Sequence, residues 1–247
     1  MQDAMDGPGL SSKKPRQVRA WDLPTRLFHW SLVVSILTAW ASWRFSEVIG
    51  DHSLSVHRWT GHFILVLLVF RLLWGFIGSS TARLTHVFNW PWTAAGYGLD
   101  LLRGKSRHYL GHNPLGSYMV LALFAATAVQ ATLGLFTVEH NDLTAGPLYK
   151  LVSEARQEAI TILHRKWFYY VLLALIPLHI LANIGYQLLK GDPLVRAMVT
   201  GRKPAADYTD EAEARIASAG GFKAMLCLVV AAGIVFGTIF ALGGKML

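Results

Sequence analysis

The sequence predicts an all-α integral membrane protein, a four-helix bundle with a fifth C-terminal transmembrane helix. Three observations point there. Only 15% of the 247 residues are charged and 53% are hydrophobic, where a soluble domain carries about 25% charged residues. Five apolar segments approach or exceed the roughly 20 residues that a bilayer-spanning helix needs. Lysine and arginine gather in alternate connections, as in a chain that crosses back and forth.

The first segment runs from Leu27 to Trp43 and is opened by Trp21-Asp22-Leu23-Pro24. Asp22 can cap the helix, and Pro24 is tolerated in a first turn. The others are His57 to Ile77, Leu115 to Phe136, Ile160 to Leu189 and Met225 to Leu242. Tryptophans at the segment ends, including Trp43, Trp59, Trp90 and Trp92, suit the membrane interface. Gly233 and Gly237 make a GxxxG in the fifth segment, a weak packing signal on an otherwise lipid-facing helix.

Charge sets the expected orientation. Lys13, Lys14, Arg16, Arg19 and Arg26 precede the first span. Arg83, Arg103, Lys105 and Arg107 follow the second. Lys190, Arg196, Arg202, Lys203, Arg215 and Lys223 join the fourth to the fifth. The intervening loops hold few cations, and the one from Val138 to Ala159 is acidic, with Glu139, Asp142, Glu154 and Glu158. The positive-inside rule then places the N-terminus in the cytoplasm and the C-terminus outside. With net charge +8, this placement favours membrane lipid over nucleic acid as the basic face's partner. Residues 1–19 read as a flexible cytoplasmic arm without a signal peptide's apolar core, and 20–204 as the main transmembrane domain. Residues 205–221 read as a cytoplasmic linker and 222–247 as the fifth helix.

Ionisable side chains inside a membrane are functional by default. Four histidines lie in or beside these segments: His29 near the inner face, His57 and His164 near the outer, and His179 deeper on the same helix as His164. Fifteen residues separate His164 from His179, about 22 Å along an α-helix and about 60° around it. Depth pairs His29 with His179 and His57 with His164, the pattern of two bis-histidine haem irons. His62 is the rival of His57. The single cysteine, Cys227, and the lack of a CxxCH motif mean that the haems are held non-covalently. Gly61, one turn after His57, leaves room for a flat porphyrin. Arg26, Arg58, Arg71 and Arg165 are placed to pair with propionates, with interfacial snorkelling the alternative for all but Arg71.

The chain resembles bacterial di-haem b-type cytochromes, the b-type cytochrome subunit of nickel–iron hydrogenases and its cytochrome b561-like relatives. The resemblance is carried by the stretch from Val18 to Trp30, by His57-Arg58-Trp59-Thr60-Gly61 and by Phe70-Arg71-Leu72-Leu73-Trp74-Gly75. It continues in Tyr109-Leu110-Gly111-His112-Asn113-Pro114-Leu115-Gly116, Leu163-His164-Arg165 and Pro177-Leu178-His179. It covers about residues 18–204. It implies two haems b, with His29, His57, His164 and His179 as metal ligands, and favours His57 over His62. It also implies a spacing of fourteen between the two helix histidines, where His164 and His179 are fifteen apart.

The expected function is electron transfer in a bacterial inner membrane, between a periplasmic-side redox partner (a hydrogenase, a dehydrogenase or a c-type cytochrome) and quinone. A superoxide oxidase that reduces quinone is the enzymatic alternative, with Arg58, Arg165 and Lys166 attracting the anion. A non-redox scaffold or proton-relay transporter is the third. His86, His108 and His112, in or beside the inner loop, read as ordinary polar residues, with proton supply to quinone as the alternative.

Overall fold

Asp22 shows how the first helix is anchored. Its carboxylate accepts from the Thr25 backbone N–H (2.7 Å), from Trp74 Nε1 (3.1 Å) and from the Ser79 backbone N–H (3.4 Å) and hydroxyl. The first bond is an N-cap, which answers one of the orphan donors of a helix start. The others tie that start to the far end of the second long helix.

The computed structural model describes residues 16–138, 145–211 and 220–244. Its helices are α1 (Leu23–Arg44), α2 (Ser46–Ile49), α3 (Ser53–Ile77), α4 (Leu84–Val87), α5 (Pro91–Leu102) and α6 (Pro114–Gly134), then α7 (Glu154–Trp167), α8 (Leu173–Lys190), α9 (Leu194–Thr200) and α10 (Gly220–Ala241). Two short strands, β1 (Gln17–Arg19) and β2 (Arg202–Pro204), pair antiparallel with Val18 opposite Lys203. A π-helical turn, Phe168–Leu172, joins α7 to α8 into one 37-residue helical rod that contains an apolar stretch long enough to cross a membrane.

Helices α3, α6, α7–α8 and α10 are long and apolar enough to cross a membrane. Helix α1 matches them in length, with 22 residues, and packs along α3, but Arg26, His29 and its serines make it less apolar. Contacts fix the directions. Trp74, near the end of α3, meets Asp22 at the start of α1. Tyr186, near the end of α8, donates to Asn113 at the start of α6. A Cβ at Gly220 would touch Pro24 and Trp74. These meet at one end of the bundle, the inner end in the sense of the charge argument. Gly134 and Gly146 approach each other at the opposite, outer end.

Four differences from the sequence reading have physical causes. Gln17–Arg19, read as the end of a flexible arm, form β1; the rest of that arm to residue 15 lies outside the described residues, as do Glu139, Asp142 and Arg215. The basic connection after α3 contains the twelve-residue α5, started by Pro91 at its first turn. The start of the linker docks: Asp210 accepts from the Leu110 and Gly111 backbone N–H groups at 2.6 and 2.8 Å. Finally, α10 buries Cys227, Ala231, Val235 and Ile239 against Val66, Phe70 and Trp74. That row recurs every four residues, one helix face. Among the described residues a Cβ on Gly233 or Gly237 would meet nothing within 4 Å, so none of the described helices packs on the GxxxG.

Candidate functional site

The four predicted histidines form two pairs. His29 and His179 have ring centroids 6.5 Å apart with planes at 49°, and His57 and His164 stand 6.2 Å apart at 80°. An iron centred between two imidazoles separates their centroids by twice the sum of a metal–nitrogen bond of about 2 Å and a ring radius of about 1.15 Å, or roughly 6.3 Å. Both pairs match that span.

Hydrogen bonds orient the outer pair. His57 Nδ1 donates to the Ala39 carbonyl (2.7 Å), and His164 Nδ1 to the Gln130 carbonyl (3.0 Å). A carbonyl oxygen only accepts, so each Nδ1 carries the proton and each Nε2 keeps its lone pair. Such an outer contact is the usual way a protein sets a ligating imidazole's tautomer. The Gln130 amide nitrogen stands 3.1 Å from His164 Nε2 and has to swing aside for a metal. A Cβ on Gly134 would come within 3.3 Å of His164 Cε1, so the glycine makes room for the ring.

A cavity of about 820 Å³ surrounds this pair, within the range of cofactor pockets. His57, His164, Arg58, Arg165, Gly61 and Gln130 all line it. A Cβ on Gly61 would meet nothing within 4 Å. His62 borders the cavity, yet its ring packs on Trp59 and Phe236, and its Nδ1 is buried without a partner among the described residues. His57 is thus the residue that faces His164.

The inner pair is held differently. Among the described residues His29 Nδ1 is buried without a partner, while the Asn183 amide donates to the His179 carbonyl at 2.7 Å and lies 3.3 Å from the His179 Nε2. Arg71 is 6% exposed, and among the described residues its Nη1 has no hydrogen-bond partner. Arg26 is drawn away: its Nη1 donates to the Val199 carbonyl at the end of α9. Above this end sits a cap made of β1, β2, α9 and the loop before α6. Lys203, fully buried, bonds Asp192 (3.0 Å) and the Tyr109 carbonyl (2.8 Å). Burial pulls its ammonium below the ordinary range, and Asp192 partly restores it.

A family model, prokaryotic cytochrome b561, matches residues 20–201. The chain belongs to that family. It is also 27% identical over 144 residues to a probable Ni/Fe-hydrogenase B-type cytochrome subunit of Rhizobium leguminosarum bv. viciae. The match covers 49% of this chain and 59% of that protein. This cytochrome b561 family member is therefore a multi-pass membrane protein of electron transport, and its haem is b-type.

The residues present fit such a group. Two imidazole pairs at an iron-spanning separation, a glycine without a neighbour at its Cβ position, and a buried guanidinium with an unused donor match an iron porphyrin with carboxylate arms. The sequence reading missed Gly134 and the cap. A glycine says nothing of what it approaches until the partner helix is placed.

Proposed function

We propose that this cytochrome holds two haems b, one between His29 and His179 and one between His57 and His164, and relays electrons between a redox protein at the outer face and quinone. The carrying observation is the pair of imidazole separations, 6.5 and 6.2 Å, at opposite ends of one bundle. Residues 20–204 form the electron-carrying unit. The excess of lysine and arginine at the inner end supports a cytoplasmic N-terminus in a bacterial inner membrane and a periplasmic C-terminus after α10.

When bound, the haems would supply one-electron transfer chemistry. The chain's own residues do the rest. Ala39 and Gln130 fix two imidazole tautomers through their carbonyls. Arg58 and Arg165 at the outer cavity, and Arg71 at the inner end, neutralise propionates. The apolar helices exclude water and so tune the potentials. The relative's printed name supports a hydrogenase as the outer partner; a dehydrogenase or c-type cytochrome would serve the same geometry.

Haem extraction from purified protein tests the core of this reading. Two haems b per chain are expected, and one would overturn the two-layer assignment. Co-purification from native membranes identifies the partner. Arg58 and Arg165 beside one outer cavity also support the superoxide-oxidase reading. Superoxide-driven quinone reduction by the isolated chain is expected only under that second reading.

A further inference from the structure

His112 stands in the loop that leads into α6, and its neighbours are tied in place. The Tyr109 carbonyl accepts from Lys203 (2.8 Å), and the Leu110 and Gly111 N–H groups donate to Asp210 (2.6 and 2.8 Å). Asn113 caps α6 by accepting from the Gly116 N–H (2.8 Å) and also accepts from the Tyr186 hydroxyl (3.4 Å). His112 itself lies against Trp21, with centroids 4.7 Å apart. Among the described residues its imidazole has no hydrogen-bond partner. A loop pinned on both sides of an unused polar ring is a mount.

What the mount serves follows from its surroundings. His112 is within electrostatic reach of Arg71, Lys203, His179 and His29. Arg71 is the charged group among the unpartnered donors at this end, buried with an Nη1 that has no hydrogen-bond partner among the described residues. Asp22 cannot satisfy it fully, because its oxygens already receive Thr25, Trp74 and Ser79. A buried guanidinium without a paired anion is costly. Burial, then the Arg71 and Lys203 charges, push the His112 imidazole down to about 3. It is therefore neutral at physiological pH and keeps one N–H to donate.

We propose that His112 and Arg71 together hold a propionate of the inner haem, Arg71 as its counter-charge and His112 as a neutral N–H donor. This rests on the reading that a haem lies between His29 and His179. The loop before α6 and the cap that pins it then act as positioning elements for that haem. The competing role for His112 is a packing ring beneath Trp21.

Redox titration of the purified full-length holoprotein separates the two roles. His112→Phe keeps a ring against Trp21 and removes the donor; His112→Gln keeps a donor and removes the ring. In His112→Phe, the inner haem's ferric-to-ferrous ratio at fixed potential should move several-fold toward ferric, because a propionate that loses a donor favours the more positive iron. Its propionate bending band in resonance Raman spectra should shift, the outer haem should be unchanged, and His112→Gln should recover most of the change. An unchanged inner haem in a His112→Phe protein that carries both haems would overturn the proposal. If that variant does not accumulate, His112→Leu is read by the same two outcomes. A wild-type protein with one haem, retained in His29→Ala, would overturn the underlying placement instead, and extraction detects that separately.

Discussion

Lys203→Met is a sharp test of how the inner end is held. The Lys203 side chain is 0% exposed and that of its partner Asp192 is 7% exposed, with Nζ 3.0 Å from Oδ1. The same ammonium serves the Tyr109 carbonyl at 2.8 Å and lies 5.6 Å from the Tyr208 ring centroid. Methionine fills similar space but leaves a buried carboxylate and a carbonyl without this partner. Breaking a buried pair from one side costs about 3–5 kcal/mol. For a chain of this size each kcal/mol corresponds to about 2–4 °C, so the midpoint should fall by roughly 10 °C if the cap and bundle melt together. Thermal unfolding in detergent, followed by haem absorbance, measures this. Hydrogen exchange locates it: protection should drop first at residues 16–22 and 202–211, the low-stability unit the cap would form. The double variant Asp192→Asn/Lys203→Met should be milder, because no lone charge remains in the interior. A single variant within about 1 kcal/mol of wild type, or a double variant as damaged as the single, would refute the argument that this pair locks the cap.

Three further outcomes are expected. His29→Ala or His179→Ala should remove one haem and spare the other, and His57→Ala or His164→Ala should do the reverse, in reduced-minus-oxidised spectra. Loss of the same haem from His29→Ala and His57→Ala would contradict the pairing. Deleting Val171 within the π turn should leave both haems bound, whereas inserting one alanine after Tyr170 should cost one of them, read by haem extraction. Electron paramagnetic resonance should show a more anisotropic ferric signal from the outer haem, whose imidazole planes stand at 80°, than from the inner, at 49°. Crossed planes act on two different iron d orbitals and leave them closer in energy, which raises the anisotropy.

The pairing of histidines was legible because it needs only two quantities, the depth of each residue and the direction of its helix. Hydropathy gives the first and loop charge the second, and both act along the chain without reference to distant partners. The cap was not legible for the opposite reason. Gln17–Arg19 pair with Arg202–Pro204 only after the bundle has brought the two segments together, and three residues carry no strand period. The same holds for His112, an ordinary loop histidine until Trp21, Arg71 and Lys203 surround it. In α10 the glycines drew attention, but burial follows Cys227, Ala231, Val235 and Ile239, whose shapes fit α3.

The rod formed by α7, the π turn and α8 joins what the sequence offered to what it hid. The fifteen steps from His164 to His179 would leave the rings about 60° apart on a uniform α-helix. The chain does not wind uniformly there. The π turn at Phe168–Leu172 takes up one extra residue in a wider loop of backbone. Fourteen effective steps remain, which bring the two directions to about 40° apart. Pro177, lacking an N–H, releases the Leu173 carbonyl just beyond that turn and so relaxes the ladder where the winding changes. The added residue is absorbed between the two imidazoles, and each still faces its partner at nearly the same separation. The one-residue departure from the resemblance is thus a change in winding that leaves the two-layer arrangement of rings intact.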